Sequence, residues 1–287
     1  MGTIVLIKLT GRCERLTGEN SMGAVMLLKS VIMGIVEGLT EFLPVSSTGH
    51  LILTGELISF TGEKAKLFEI FIQLGAILAV LWFYRKKILS LISRFPKDTR
   101  AQRFGINLLT AFMPAAVIGL LLHKTITRYL FSPSTVAVAL VIGGLIILLI
   151  EIQKHSNKIE DIEDITFRVA LAVGIAQVLA LFPGVSRSGA TIMGGLLAGL
   201  SRKASTEFSF FLAIPTMLAA TLFELAKNYK MLSSSDFEML AVGFVTAFLS
   251  ALWVVNWLIK FVSRHDFKPF AYYRILFGGI LVWIYLF

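Results

Sequence analysis

The amino-acid sequence predicts an all-α polytopic membrane protein, with six transmembrane helices and two broken re-entrant helix pairs arranged as an inverted repeat. Three observations carry that prediction. Of the 287 residues, 56% are hydrophobic and only 16% charged, with a mean hydropathy of +0.80, which excludes an ordinary soluble domain. Six apolar stretches approach the roughly 20 residues that a span requires. Two further apolar regions are interrupted by polar, turn-forming residues, and the second interruption repeats the first.

Residues 1–21 are polar and mixed, and no apolar core with a small-residue cleavage site marks them as a signal peptide. They read as a disordered extension, with Met22 or Met26 an equally plausible start and Cys13 without a role. Residues 22–287 read as a single membrane domain, with repeat halves at about 24–151 and 167–287. The first broken region, 24–60, is interrupted by EGLTEFLPVSSTGH, residues 37–50. Ionisable residues within an apolar segment are costly and point to a functional site. Glu37 and Glu41 are one helical turn apart and share a face. Pro44 ends the helix, and Ser46, Ser47, Thr48 and Gly49 follow as turn formers. The expected spans come next, at 68–84, 104–122, 134–151, 206–226, 237–262 and 270–287. The second broken region, 167–200, is interrupted by PGVSRSGAT.

A shift of 140 residues superposes the two breaks: Gly34 falls on Gly174, Phe42 on Phe182, Val45 on Val185, Ser46 on Ser186 and Gly49 on Gly189. The same shift carries Phe68 onto Phe208 and Phe71 onto Phe211. Three spans between the breaks make the second copy inverted, and inverted repeats with discontinuous helices place their site near the midplane, where the breaks face each other.

The formal charge, 27 − 18 = +9, reads as basic loops on the cytoplasmic side, and nucleic acid is not an expected partner. Residues 85–103 hold Arg85, Lys86, Lys87, Arg94, Lys97, Arg100 and Arg103 against Asp98 alone, and the 260–274 segment with Arg274 falls on the same side. The first break then opens from the outer face, the second from the inner. The acidic 154–166 loop reads as a solvated turn.

Around the second break, Ser186, Arg187, Ser188, Gly189 and Thr191 open a helix after Pro183-Gly184. Free N–H groups, a positive dipole end and a guanidinium fork suit an anion such as a phosphate. The blander reading of Arg187 is an ion pair to Glu37 or Glu41, and the two readings are compatible. At the first break, Ser47 and His50 are three apart, neighbours on one helical face, and form a minimal nucleophile and proton-handling pair. Ser46 or Thr48 could replace Ser47. Glu37 and Glu41 suit either a hard divalent cation, Mg²⁺ or Ca²⁺, or the orientation of His50 or Arg187. Phosphoryl transfer, which above all needs charge neutralisation, is the chemistry these groups fit.

The two breaks resemble the signature motifs of bacterial undecaprenyl-diphosphate phosphatases, also called bacitracin-resistance proteins, and the resemblance runs from about Gly23 to the C-terminus. It implies an integral membrane enzyme that removes the terminal phosphate of a C55 polyprenyl diphosphate and so recycles the lipid carrier of cell-wall synthesis. It also implies divalent-cation dependence, a bacterial inner-membrane location with the site open to the outer face, and bacitracin resistance. Carried over residue by residue, the functional positions are Glu37, Glu41, Ser47, His50, Ser186, Arg187, Ser188 and Thr191. Besides the lipid substrate and membrane lipid, the only other expected partner is a second copy in a homodimer. The rival class is a lipid or small-molecule transporter or flippase on the same repeat. An intramembrane serine protease would leave the paired glutamates and the SRS segment unexplained.

Overall fold

The computed structural model describes residues 23–129, 132–153, 159–228 and 236–287. The 1–21 extension with Cys13, together with His155, lies outside the described residues. The named elements of the described residues are all helical: α1 (Gly23–Thr40), α2 (Ser47–Leu57), α3 (Glu63–Phe83), α4 (Arg85–Arg94), α5 (Thr99–Tyr129) and α6 (Pro133–Ile152) precede a short 3₁₀ turn at Ile162–Asp164. They are followed by α7 (Phe167–Val178), a 3₁₀ turn at Leu179–Leu181, α8 (Arg187–Leu197), α9 (Arg202–Asn228), α10 (Phe237–Val262) and α11 (Lys268–Leu286). Such a composition favours helices because a helix satisfies its backbone internally where lipid offers no partner.

Each of the six expected spans falls, to within one residue, inside one helix: α3, α5, α6, α9, α10 and α11. A seventh, α1, is also long and apolar enough to cross, at 18 residues. This corrects the expectation of two short helices in the first broken region. No helix breaker precedes Pro44, so the helix runs on to Thr40. The second region has the shorter form expected of it, with α7 loosening into 3₁₀ geometry at residue 179.

The 140-residue offset reappears in the backbone. α2 and α8 each run 11 residues, starting at 47 and 187, and their N-cap residues Ser46 and Ser186 have left-handed φ of 69° and 76°. Two non-glycine residues in that sparsely populated region, at matched places, mark the same strained turn twice. Gly184, with φ of 92°, could not carry a side chain: a Cβ there would lie 2.7 Å from the Val136 carbonyl oxygen.

The ends of the broken pairs are held by specific contacts. Lys29 of α1 donates to the Ser59 carbonyl just beyond α2 at 3.1 Å. Ile159, before α7, bridges to Gly199 and Ser201 beyond α8 at 3.3 and 2.9 Å. Each pair therefore begins and ends at one place.

The segment expected to be a basic loop forms α4 instead. Ile88, Leu91, Ile92 and Phe95 recur at the helical spacing of an apolar stripe, and the remaining positions are largely charged or polar. The acidic residues expected in a solvated turn are its counter-charges. Arg94 meets Glu163 at 2.9 Å and Asp98 at 2.6 Å, while Arg100 meets Asp164 at 2.8 Å and Asp161 at 3.1 Å. Nearby, Glu151 is held by both Arg202 Nε and Nη2, at 3.1 and 2.5 Å, and accepts from the Phe267 backbone N–H at 3.0 Å. Segments 94–100, 159–164 and 199–202, with Glu151 and Phe267, are thus tied together at one end of the bundle.

Candidate active site

The two breaks meet. Ser47, the first residue of α2, donates its hydroxyl to Glu41 Oε2 at 2.5 Å. The other oxygen of that carboxylate, Oε1, accepts from Arg187 Nη2 at 2.8 Å, from the first residue of α8. A hydroxyl, a carboxylate and a guanidinium therefore stand in line across the interface of two segments 140 residues apart. Arg187 is fixed further by the Ser209 carbonyl (Nη1, 3.2 Å), by Met217 Sδ at 3.0 Å and by the Phe42 ring, 5.7 Å from its Cζ. Its Nε is buried with no partner.

Glu37 is fully buried, and neither carboxylate oxygen has a hydrogen-bond partner. Glu41, Glu69 and Arg187 are near enough to act on it electrostatically. A wholly desolvated carboxyl is costly unless something binds it. Its donor chemistry fits a hard cation. Among the described residues no cluster of three or more His, Cys, Asp or Glu could hold a metal by itself, so phosphate oxygens and water would have to supply the remaining ligands, as is usual for Mg²⁺.

His50 does not pair with Ser47, contrary to the expectation from their spacing. Its Nδ1 lies 2.8 Å from the Ser46 carbonyl, so that nitrogen donates, and its Nε2 lies 2.6 Å from the Tyr273 hydroxyl. The ring stacks on Phe277 at 4.5 Å and on Tyr273 at 5.6 Å. Because α2 begins at Ser47, that side chain still points back over the break, whereas His50 faces α11. Ser46 caps α2 without a side-chain cap bond, and Thr48 is half-buried.

Ser186 caps α8 through the Gly189 N–H at 3.1 Å, so that N–H is taken. The N–H groups of Arg187 and Ser188, in the first turn, have no helical partner by geometry. Ser188 donates to the Leu43 carbonyl in the first break at 2.7 Å and lies 3.0 Å from the Ser186 hydroxyl. Thr191 meets Ser209 Oγ at 2.7 Å. These hydroxyls stitch the two breaks to each other and to α9.

Arg274 is the residue that sequence reasoning missed. Counted there as a loop cation, it is fully buried in α11. It donates to five backbone carbonyls: Pro44 (3.2 Å), Gly184 (3.0 Å), Val185 (3.0 Å), Ala139 (3.2 Å) and Leu140 (3.3 Å). Pro44 and Gly184 are again 140 apart. One guanidinium thus holds both turns at corresponding atoms. A Cβ at Gly143 would collide with that guanidinium, so the glycine is needed for close approach. The usable signal was an arginine inside the expected span 270–287.

The chain matches the family model "Bacitracin resistance protein BacA" over residues 30–280. Relatives named undecaprenyl-diphosphatase include one from Nitrosospira multiformis, 57% identical over 257 residues covering 90% of this chain and 94% of the relative. Another, from Methylobacillus flagellatus, is 54% identical over 92% of this chain and 100% of its own length. A third, from Cupriavidus metallidurans, is 52% identical over 91% and 96%. The matched region takes in both breaks, the Ser47–Glu41–Arg187 line and the Arg274 clamp, and the chain belongs to the bacitracin resistance protein BacA family.

Proposed function

We infer that the chain is an integral membrane undecaprenyl-diphosphatase, which hydrolyses undecaprenyl diphosphate to undecaprenyl phosphate and inorganic phosphate and so recycles the lipid carrier of cell-wall synthesis. The observation that carries this reading is the line from Ser47 Oγ through Glu41 to Arg187, at 2.5 and 2.8 Å. A carrier needs groups that bind; it does not need a hydroxyl held against a carboxylate.

In the proposed mechanism the diphosphate lies at the N-terminal ends of α2 and α8. Arg187 Nε and the N–H groups of the first turn of α8 meet the phosphoryl oxygens, where negative charge gathers in the transition state. Ser47 Oγ attacks the terminal phosphorus and its proton passes to Glu41, which it already touches. The bond to the bridging oxygen breaks, and Glu41 returns the proton to the departing lipid phosphate. Water then cleaves the phosphoserine, with Glu41 taking its proton and restoring it to Ser47, and inorganic phosphate leaves. A divalent cation held by Glu37 would supply charge neutralisation at the phosphates. His50, with both nitrogens engaged, steadies the Ser46 turn.

Opposed entry of the two broken pairs is part of the reading. It is supported by the matched turns and by α1–α2 and α7–α8 each closing on themselves, with α3 and α9 between those closures. The basic end of the bundle is cytoplasmic under the positive-inside rule, which puts the α1–α2 pair and the site mouth at the outer face of a bacterial inner membrane.

The test is phosphate release from a polyprenyl diphosphate by purified protein, for wild type, Ser47→Ala and Arg187→Ala. Release that collapses in both variants supports the reading. A folded wild type that binds the lipid without releasing phosphate would sink it in favour of a carrier.

A further inference from the structure

We propose that the bundle carries a second lipid site, distinct from the phosphate site, which seats one acyl chain of an anionic phospholipid beneath α4. A cavity of about 460 Å³ opens between α3, α4, α5 and α9. Its walls are apolar throughout and include Leu91, Phe95, Phe104, Leu108, Phe211 and Ile214. Part of its wall stays open: Ile92 and Phe95 are 63% and 49% exposed.

Volume separates the candidate chains. At roughly 30 Å³ per heavy atom, the share of one water in the liquid, the space takes about fifteen atoms. That matches one acyl chain, whereas a C55 prenyl chain would leave most of its length outside the slot.

Charge selects the headgroup. Several cations near the cavity are already neutralised: Arg94 by Glu163 and Asp98, Arg100 by Asp161 and Asp164, and Lys87 by Glu207. Arg85, Lys86, Lys97 and Arg103 are exposed and make no ion pair among the described residues. Lys97 adjoins the lining residue Pro96, and Arg103 adjoins the lining residue Phe104. An amphipathic helix over an apolar slot, with unneutralised Lys97 and Arg103 next in sequence to its lining, is a surface that suits an acidic phospholipid better than a zwitterionic one.

The wall between this cavity and the phosphate site is one stretch of α9. Phe211 and Ile214 face the cavity, while the Ser209 carbonyl and Met217 hold Arg187. An occupied cavity therefore braces the helix that positions Arg187.

The experiment uses the full chain in phosphatidylcholine nanodiscs doped with a phospholipid carrying a photoactivatable acyl chain, headed by either phosphatidylglycerol or phosphatidylcholine. We expect labelling of peptides within 88–108 to be several-fold stronger for the phosphatidylglycerol probe. It should fall to the phosphatidylcholine level in the Lys86→Gln/Lys97→Gln/Arg103→Gln variant. It should also fall in Leu108→Trp, which fills the slot, with labelling elsewhere on the protein unchanged as the control for folding. Equal labelling by the two probes, labelling that survives both variants, or displacement by polyprenyl phosphate would overturn the proposal. Arg187→Ala should label like wild type, so the outcome is independent of whether the phosphatase reading stands.

Discussion

Arg187 meets a carboxylate, a backbone carbonyl, a thioether and an aromatic face, and its Nε is buried without a hydrogen-bond partner. Replacing it by alanine should lower phosphate release by roughly 10²- to 10³-fold, the usual loss on removing one donor to transition-state charge. Arg187→Lys should recover little, because an ammonium cannot reproduce the fork that serves Glu41 and the substrate together. Glu41→Gln should cost on the order of 10²- to 10⁴-fold if it takes the Ser47 proton. A Glu41→Gln enzyme of near wild-type rate would hand that role elsewhere. Arg274 acts on folding. Each carbonyl stripped of its donor costs about 1–3 kcal/mol when buried, so Arg274→Met should lower the melting temperature in detergent markedly, and an unchanged melting curve would refute the clamp. The Glu, Ser and Arg positions were legible because polar residues in apolar surroundings advertise themselves. Arg274 was not, since its partners are carbonyls up to 230 residues away. Nor was the separation of His50 from Ser47: spacing along a helix does not say where the helix begins.

At the scale of elements, α2 and α8 frame the proposed site, and both start from a serine in left-handed conformation. Their positions were legible as interruptions in apolar sequence, and their common length as a constant offset. What spacing could not reveal was α4, because a run of Arg and Lys masks the apolar stripe beneath it. The ion pairs around α4 are accessible and should matter modestly. Asp98 is held below its ordinary value of 3.8, chiefly by the Arg100 backbone N–H and then by the Arg94 guanidinium. Its contribution to stability is therefore present above that ordinary value and lost as pH falls through the lower folded value. Thermal unfolding should show wild type losing its advantage over Asp98→Asn only in that acid range. A gap between the two that stays constant down through it would show that Asp98 is not held this way.

For the whole molecule, the spans were readable from hydropathy and the fold-back of the two broken regions from their polar interruptions, while the contacts that close each pair were not. Contacts such as Lys29 with Ser59 and Ile159 with Ser201 close the broken pairs, and they join residues that share no pattern. If the two halves are copies, each should carry its own folding information. Co-expressing residues 1–155 and 156–287 as separate chains should then restore phosphate release in the membrane fraction, whereas either half alone should give none. Halves that never associate would show that the linkage between them is required.

The matched turns have one further consequence. Under the 140-residue shift, Ser47 falls on Arg187. In the proposed mechanism the attacking hydroxyl and the cation that steadies its target thus occupy the same seat in two versions of one motif. A dimer of identical halves would present two serines or two arginines there, and neither set could do the chemistry alone. If the halves arose by duplication, joining them in a single gene would have freed the two seats to diverge, leaving a backbone that keeps the symmetry its side chains have given up.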